Sequence, residues 1–534
     1  MDISLLPDDP AILKQIIHEY SNNITNLRES ATNLKKEFTF TIESLQSDIM
    51  RLNETIKVYR HKLFGRHSEN LPKAEQPGLF NEAEIEERLI KSEDSVEKIK
   101  ISYERIKKSG KRPLPDDLPK DTIVLDLSEE EKKCLRCGNN LVKIGEEISE
   151  KLEIIPQQVR VIQYIRPKYS CSCNKCKREG SKIITAELPP MLIPQGIATA
   201  SSAAYVFKTK FVDAMPYYRQ ETMFSSIGID LSRATMCNWQ TYIYYNYLTR
   251  LIDLMRSDLK KSYLIQADET TVQVIVEKEK PPDSKSYMWV YRGYWEKNII
   301  LLYDYSPNRK GENPRRYLEG YEGYLQTDGY DGYNLAVKEN KIVRLACWAH
   351  VRRKFFDCFK VLKERNYPES KIILDMIQSL YGVEKKARGL SEKEIFELRQ
   401  KESKPITEKI KSWLQENEDK YPPKSAMGQA INYALCLWEN LTVYLEDGRL
   451  FIDNNFVENS IRPFVIGRKN WLFSYSEDGA NSSAAIYSLI ETAKANGKEP
   501  YKYLKELLEK IPYAQTDEDY KKLLPYYDAN LFDE

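Results

Sequence analysis

Two short apolar runs in the middle of the chain, each ending on an aspartate, limit its fold more than any other feature. They are Tyr263-Leu-Ile-Gln-Ala-Asp268 and Glu322-Gly-Tyr-Leu-Gln-Thr-Asp328. Runs of this length and character read as β-strands. A carboxylate at the end of such a strand is lifted to the rim of the sheet. Two of them on neighbouring strands converge on one point, which suits a hard divalent cation such as Mg²⁺ or Mn²⁺.

The elements around them have an informative order. Further strands are expected at about 286–294 and 299–305, a helix at 314–319, the strand to Asp328, a helix near Asp331 and a strand over 342–347. This β-β-β-α-β-α-β succession is that of an RNase H-like domain, in which the first and fourth strands lie side by side. Glu269 follows Asp268 directly, so alternation turns it to the opposite face. Asp331 is better suited to capping the next helix.

A third acid has to come from a later helix crossing the same rim. The best stretch is Phe451-Ile-Asp-Asn-Asn-Phe-Val-Glu-Asn-Ser-Ile-Arg-Pro463, with Asp453 as N-cap, Glu458 inside the helix and Pro463 ending it. Glu458 is the choice and Asp453 the runner-up. Arg462 shares the face of Glu458 one turn on, and Arg462, Arg468 and Lys469 are candidates to hold DNA phosphates. The helix-prone residues 359–445 read as an all-α insertion. At its start, Cys347-Trp-Ala-His350 supplies half a zinc site with no second half visible in sequence. His350 is therefore expected near substrate, without a role as catalytic base.

Composition narrows the class. The 534 residues suffice for three or four domains, and 81 basic against 80 acidic residues leave no global charge signal. No apolar run approaches a membrane span, and the start lacks the pattern of a secretory signal, so a cytoplasmic protein without membrane contact is expected. Five of nine cysteines fall between Cys134 and Cys176. Such clustering favours metal over disulfides in a reducing compartment. Cys134 and Cys137 form one knuckle, Cys173 and Cys176 the other, and four thiolates close a structural zinc site; Cys171 competes for the third position. A β-ribbon is expected between the knuckles, over 153–165.

Towards the N-terminus, Ile24, Leu27, Ala31, Leu34, Phe38, Ile42, Leu45, Ile49 and Leu52 recur at steps of three and four. That is a coiled-coil seam with one stutter, so residues 12–66 are read as a zipper-like helix that pairs subunits. Residues 67–125 are read as a linker with a basic end, and 126–190 as the zinc module. Residues 195–250 are helical: a helix from Tyr217 ends near Gly228, and Ser232 caps the next one. This matches a helix-turn-helix in which Arg233, Thr235, Asn238 and Gln240 face a DNA groove. The first part of the core covers 260–358, its last part 446–500, and a C-terminal helix with an exposed tail 501–534.

Several motifs together resemble the transposases of the insertion-sequence-66 family over nearly the whole chain. They include Leu63-Phe-Gly-Arg-His-Ser-Glu69, the cysteine module, Leu231-Ser-Arg-Ala-Thr-Met-Cys-Asn-Trp239, Thr327-Asp-Gly-Tyr-Asp-Gly-Tyr333, Cys347-Trp-Ala-His350, Asp453-Asn-Asn-Phe-Val-Glu458 and Ile466-Gly-Arg-Lys-Asn-Trp471. The resemblance implies an Asp-Asp-Glu transposase with a leucine-zipper N-terminus, a zinc finger and an RNase H-like core. By it, Asp268, Asp328 and Glu458 are the metal-binding catalytic triad, and companion proteins encoded by the element take part. The expected chemistry is two-metal-ion phosphodiester cleavage at the transposon ends followed by strand transfer, by a protein associated with the nucleoid when bound to DNA. The rivals are a catalytically silent DNA-binding regulator and a nuclease without strand transfer.

Overall fold

The computed structural model describes residues 10–64, 158–170, 183–278, 280–281, 284–362 and 368–527. The linker and the five clustered cysteines, Cys134, Cys137, Cys171, Cys173 and Cys176, lie outside them. The chain divides into two units, Ser95–Leu188 and the remainder. In the smaller unit the described residues hold one antiparallel ladder, β1 (Lys168–Ser170) with β2 (Ile183–Thr185). The ribbon expected over 153–165 is corrected here: the described part, 158–165, carries no strand, and pairing starts at Lys168.

Helix α1 (Pro10–Phe64) runs for 55 residues. No proline or glycine follows Pro10 within it, so nothing in the sequence forces a kink. Ile24, Leu27, Leu34, Phe38, Ile42, Leu45 and Ile49 on it are all exposed.

Four helices lead into the sheet: α2 (Ala200–Phe211), α3 (Tyr217–Ser226), α4 (Arg233–Ile243) and α5 (Thr249–Leu259). The α3–α4 turn passes through Gly228 at φ +80°, a conformation glycine adopts without steric cost. Ser232 caps α4 by accepting the Thr235 N–H, as its sequence position suggests.

The main sheet contains β3 (Leu264–Val276), β4 (Lys285–Trp295), β5 (Asn298–Ser306), β6 (Gly323–Thr327) and β7 (Ile342–Ala346), in the order β5-β4-β3-β6-β7. β3, β4 and β5 form an antiparallel meander, while β6 and β7 run parallel to β3. The first and fourth strands of the sheet are thus neighbours, as the element order suggests. The crossovers carry α6 (Glu312–Tyr317) and α7 (Asn334–Glu339). One expectation fails: β3 does not end at Asp268 but continues eight residues to Val276, because β4 remains its partner down to Gln273.

The insertion is helical throughout its described elements: α8 (Trp348–Leu362), α9 (Pro368–Lys386), α10 (Glu392–Leu398), α11 (Lys404–Asn417), α12 (Ala426–Cys436) and α13 (Trp438–Thr442). It has its own core, including Phe355, Ile377, Leu414, Ile431 and Trp438, which reaches the sheet at Leu264 and Leu345. Arg399 locks its base. Its guanidinium, 3% exposed, donates to both oxygens of Glu384 at 2.9 and 2.7 Å and to three backbone carbonyls.

The chain then returns to the sheet through α14 (Asn455–Trp471), β8 (Ser474–Ser476) and α15 (Glu477–Ala495). α14 corrects the reading of Pro463, which lies inside the helix and does not end it. A proline costs the helix one N–H bond and strains the preceding turn, but Val457, Ile461 and Phe464 are buried in the core on either side of it. α15 closes the β5 edge. Ser488 and Thr492 accept from the N–H groups of Tyr303 and Leu301 at 2.8 and 3.0 Å, and Asn496 accepts from Ile299 at 3.1 Å. Three polar side chains four residues apart therefore take the place of another strand, which protects an otherwise open edge.

α16 (Pro500–Lys510) and α17 (Asp517–Lys521) complete the described chain. The exposed tail expected after residue 515 is corrected in part: Tyr520, Leu523, Leu524 and Tyr526 are buried in the main core, and the Tyr526 hydroxyl donates to Asp258 at 2.8 Å.

Candidate active site

The parallel ladder between β3 and β6 ends at the pair Gln266–Gln326. Asp268 and Asp328 each follow two positions later, so alternation brings both carboxylates to the side of the sheet that the two glutamines occupy. That shared side is fixed by a buried bond, the Gln266 side-chain amide donating to Gln326 at 2.8 Å. Arg292 in turn donates to Gln266 at 3.0 Å.

The same glutamines steer the third acid. Gln326 donates to the Phe451 carbonyl at 2.7 Å and Gln266 to that of Asp453 at 3.4 Å. Asn454, 1% exposed, donates to the Ala267 carbonyl at 3.0 Å, while its own N–H reaches the Cys347 thiol at 3.2 Å. α14 therefore starts against the strand carrying Asp268, and Glu458 lies in its first turn, 4% exposed. Asn454, not Asp453, holds the N-cap position. Asp453 instead accepts from the Asn455 backbone and side chain at 3.1 and 2.9 Å.

Electrostatics reflect this convergence. Burial pushes the Asp268 carboxyl well above the usual carboxylate range, and the negative charges of Glu269, Glu458 and Asp328 push it further; the Glu269 N–H, 2.9 Å from Asp268 Oδ1, opposes them. Asp328 is held by a turn bond from the Tyr330 N–H at 2.9 Å. Buried Arg344 braces that turn, donating to the carbonyls of Asp328 and Tyr330 at 2.8 Å each. Glu269 is engaged elsewhere, by Arg309 and, at 2.7 Å, by the Tyr333 hydroxyl. Asp331 opens a short 3-10 turn without capping it.

His350 lies beside Glu458, its Nδ1 3.6 Å from Oε1, and Arg353 stands 3.8 Å from Oε2. Burial and then the charge of Arg353 hold the imidazole down to about 4, so His350 is neutral near pH 7. Cys347, His350 and Glu458 bring ligand atoms within 4.8 Å of one another. Glu458 thus meets the Cys-x2-His pair from more than a hundred residues downstream.

The expected DNA contacts divide. Arg233 and Asn238 on α4 and Lys469 on α14 are exposed, and Arg462 is half-buried one turn beyond Glu458. Two are corrections. Gln240 is buried and holds α4 against α15, donating to Ser482 at 2.6 Å and accepting from the Tyr217 hydroxyl at 2.6 Å. Arg468 is bound to β3, donating to the Thr271 carbonyl and, at 2.8 Å, to its hydroxyl. Neither faces an open groove.

A family profile described as Transposase IS66 family matches residues 195–482, more than half of the chain. The chain belongs to the IS66 transposase family. Three further IS66-linked profiles match: the zinc-finger binding domain over 131–174, the C-terminal element over 488–526, and one described as Transposase C of IS166 homeodomain over 51–123. The zinc-finger match supports structural zinc in the cysteine module and ends before Cys176. Among relatives, uncharacterized protein y4qI of Sinorhizobium fredii is 30% identical over 548 residues, covering 98% of both chains. Uncharacterized protein y4jD of the same organism is 31% identical over 425 residues, 77% of this chain and 81% of its own. No described helix is long and apolar enough to cross a membrane.

Proposed function

We propose that this IS66-family transposase cleaves DNA at the ends of its element and joins the freed 3′-hydroxyls to target DNA, with Asp268, Asp328 and Glu458 as its catalytic carboxylates. The observation that carries the reading is the register Gln266–Gln326, which sets the two aspartates side by side while α14 brings in Glu458. The strand order β5-β4-β3-β6-β7 supports reading the domain as RNase H-like. The negative charges of Asp328 and Glu458 help to raise the Asp268 carboxyl, and carboxylate oxygens are the donors that hard cations prefer. Asp268, Asp328 and Glu458 would hold two Mg²⁺ or Mn²⁺ ions. Bound there, such ions supply an activated water and stabilise the leaving oxygen.

The chain's own residues do the positioning. Arg344 fixes the turn of Asp328, and Asn454 fixes the start of the Glu458 helix. Exposed Arg233, Asn238 and Lys469, with Arg462, supply DNA contacts, and neutral His350 stands near the scissile phosphate. The exposed apolar residues of α1 pair two subunits as a coiled coil, so that two DNA ends are held together. The cysteine module, with Cys134, Cys137, Cys173 and Cys176 as zinc ligands, folds around its ion.

Incubating the protein with element-end DNA, target plasmid and Mg²⁺ tests this reading. Joined products support a transposase. Nicked ends that never join reduce the activity to that of a nuclease.

A further inference from the structure

We infer that Cys347, His350 and Glu458 form a second, soft-metal site that takes Zn²⁺, distinct from the cysteine module. The inference of competition below rests on Glu458 being one of the catalytic carboxylates; the site itself does not.

The donor set argues first. A thiol, an imidazole and a carboxylate, all within 4.8 Å of one another, make a zinc-type combination, whereas Mg²⁺ does not take sulfur. Cys347 directly follows the end of β7, and His350 stands in the first turn of α8. This i, i+3 relation puts both on one side of the turn.

Distance argues second. His350 Nδ1 and Glu458 Oε1 are 3.6 Å apart, beyond an ordinary hydrogen bond of about 2.7–3.2 Å. Two ligands about 2.0–2.1 Å from one tetrahedral zinc are separated by roughly 3.3–3.4 Å. The observed gap therefore fits two groups facing a shared ion better than a direct bond. His350 Nδ1 is also buried without a hydrogen-bond partner among the described residues. Leaving such an atom unsatisfied costs about 1–3 kcal/mol, a penalty that a metal bond removes.

The thiol argues third. Cys347 is 1% exposed, and its sulfur accepts the Asn454 N–H at 3.2 Å, which fixes the thiol on the side where α14 delivers Glu458. On binding, the thiol proton goes to solvent and sulfur, nitrogen and oxygen fill three positions of a tetrahedron. The fourth stays open to water. An ion held here draws Glu458 away from the hard-cation site, so Zn²⁺ competes with Mg²⁺-supported cleavage.

The test measures zinc per chain in full-length protein dialysed against Zn²⁺, for wild type, Cys347→Ser and His350→Gln. His350→Gln keeps the buried thiol and its Asn454 bond, which guards against misfolding at Cys347. Wild type is expected to hold one more zinc than either variant, with cobalt substitution giving a thiolate band that Cys347→Ser diminishes. Equal zinc content in all three overturns the site. In the second arm, Zn²⁺ is titrated at fixed Mg²⁺, and Cys347→Ser is expected to need at least tenfold more Zn²⁺ for half-inhibition of cleavage. An extra zinc that leaves wild-type cleavage unchanged overturns the competition and moves the fault to the catalytic reading of Glu458.

Discussion

Gln266 donates to Gln326 at 2.8 Å across two parallel strands, and each glutamine stands two residues before an aspartate. Both are fully buried, and both also hold the segment that leads into α14. One bond thus aligns the strands, and its neighbours bring in the third acid. Gln326→Leu leaves the Phe451 carbonyl and the Gln266 amide without this partner. Each buried unsatisfied group costs about 1–3 kcal/mol. A lower midpoint in urea unfolding with unchanged m-value is expected, together with reduced cleavage; unaltered stability would show that the pair does not align the strands.

Glu458→Gln keeps the size of the side chain and removes its charge. Affinity for element-end DNA is expected to stay within a few-fold of wild type by gel shift. Cleavage should fall by at least ~10²-fold, the scale seen on removing one preorganised electrostatic group. Equal loss of binding and cleavage would make Glu458 a structural residue.

The two neighbours on α4 separate recognition from folding. Asn238 is exposed, whereas Gln240 is 3% exposed and bonded to Ser482 and Tyr217. Asn238→Ala should weaken DNA binding without moving the melting temperature. Gln240→Ala should lower stability by about 1–3 kcal/mol, and a fold left intact would contradict its anchoring role.

Much of this was legible in the sequence, for stated reasons. The alternation of β-prone residues located β3 to β7 within about two residues except at the end of β3, while the short β8, which pairs with β3, was not anticipated. At that end the aspartate drew the boundary, although Thr270-Thr271-Val272 continues as a strand because β4 still pairs with it. Gln240, expected in the DNA groove, falls on the face of Met236 and Ile243, both fully buried, so helical spacing held the signal for its burial that the groove reading passed over. Buried glutamines within apolar strands were a signal too, since an uncharged polar group inside a core needs a partner. The meeting of Glu458 with Cys347 and His350 was not legible. Local spacing carries no information on a contact closed across the whole helical insertion.

Arg399→Ala tests that insertion. The substitution leaves Glu384 and three backbone carbonyls without their donor, and removing one partner of a buried ion pair costs about 3–5 kcal/mol. Thermal unfolding or limited proteolysis of the region 368–445 should register the loss; a change below about 1 kcal/mol, the scale of exposed ion pairs, would mean that the pair is dispensable.

Asp304 gives a pH signature. Burial raises its carboxyl to about 6 from 3.8, against the opposing charges of Arg256 and Arg316. Between about pH 4 and 6 the folded state therefore binds a proton that the unfolded state has lost, and stability from this group falls as pH rises. Asp304→Asn removes that dependence, so its stability relative to wild type should increase across the window. A flat difference would contradict the raised value.

The most direct measurement is cleavage of DNA carrying the element's own ends, with Mg²⁺ or Mn²⁺, by wild type and by Asp268→Asn. The account predicts metal-dependent nicking in wild type and none in the variant, with both proteins binding the DNA. Nicking that persists in Asp268→Asn would contradict it.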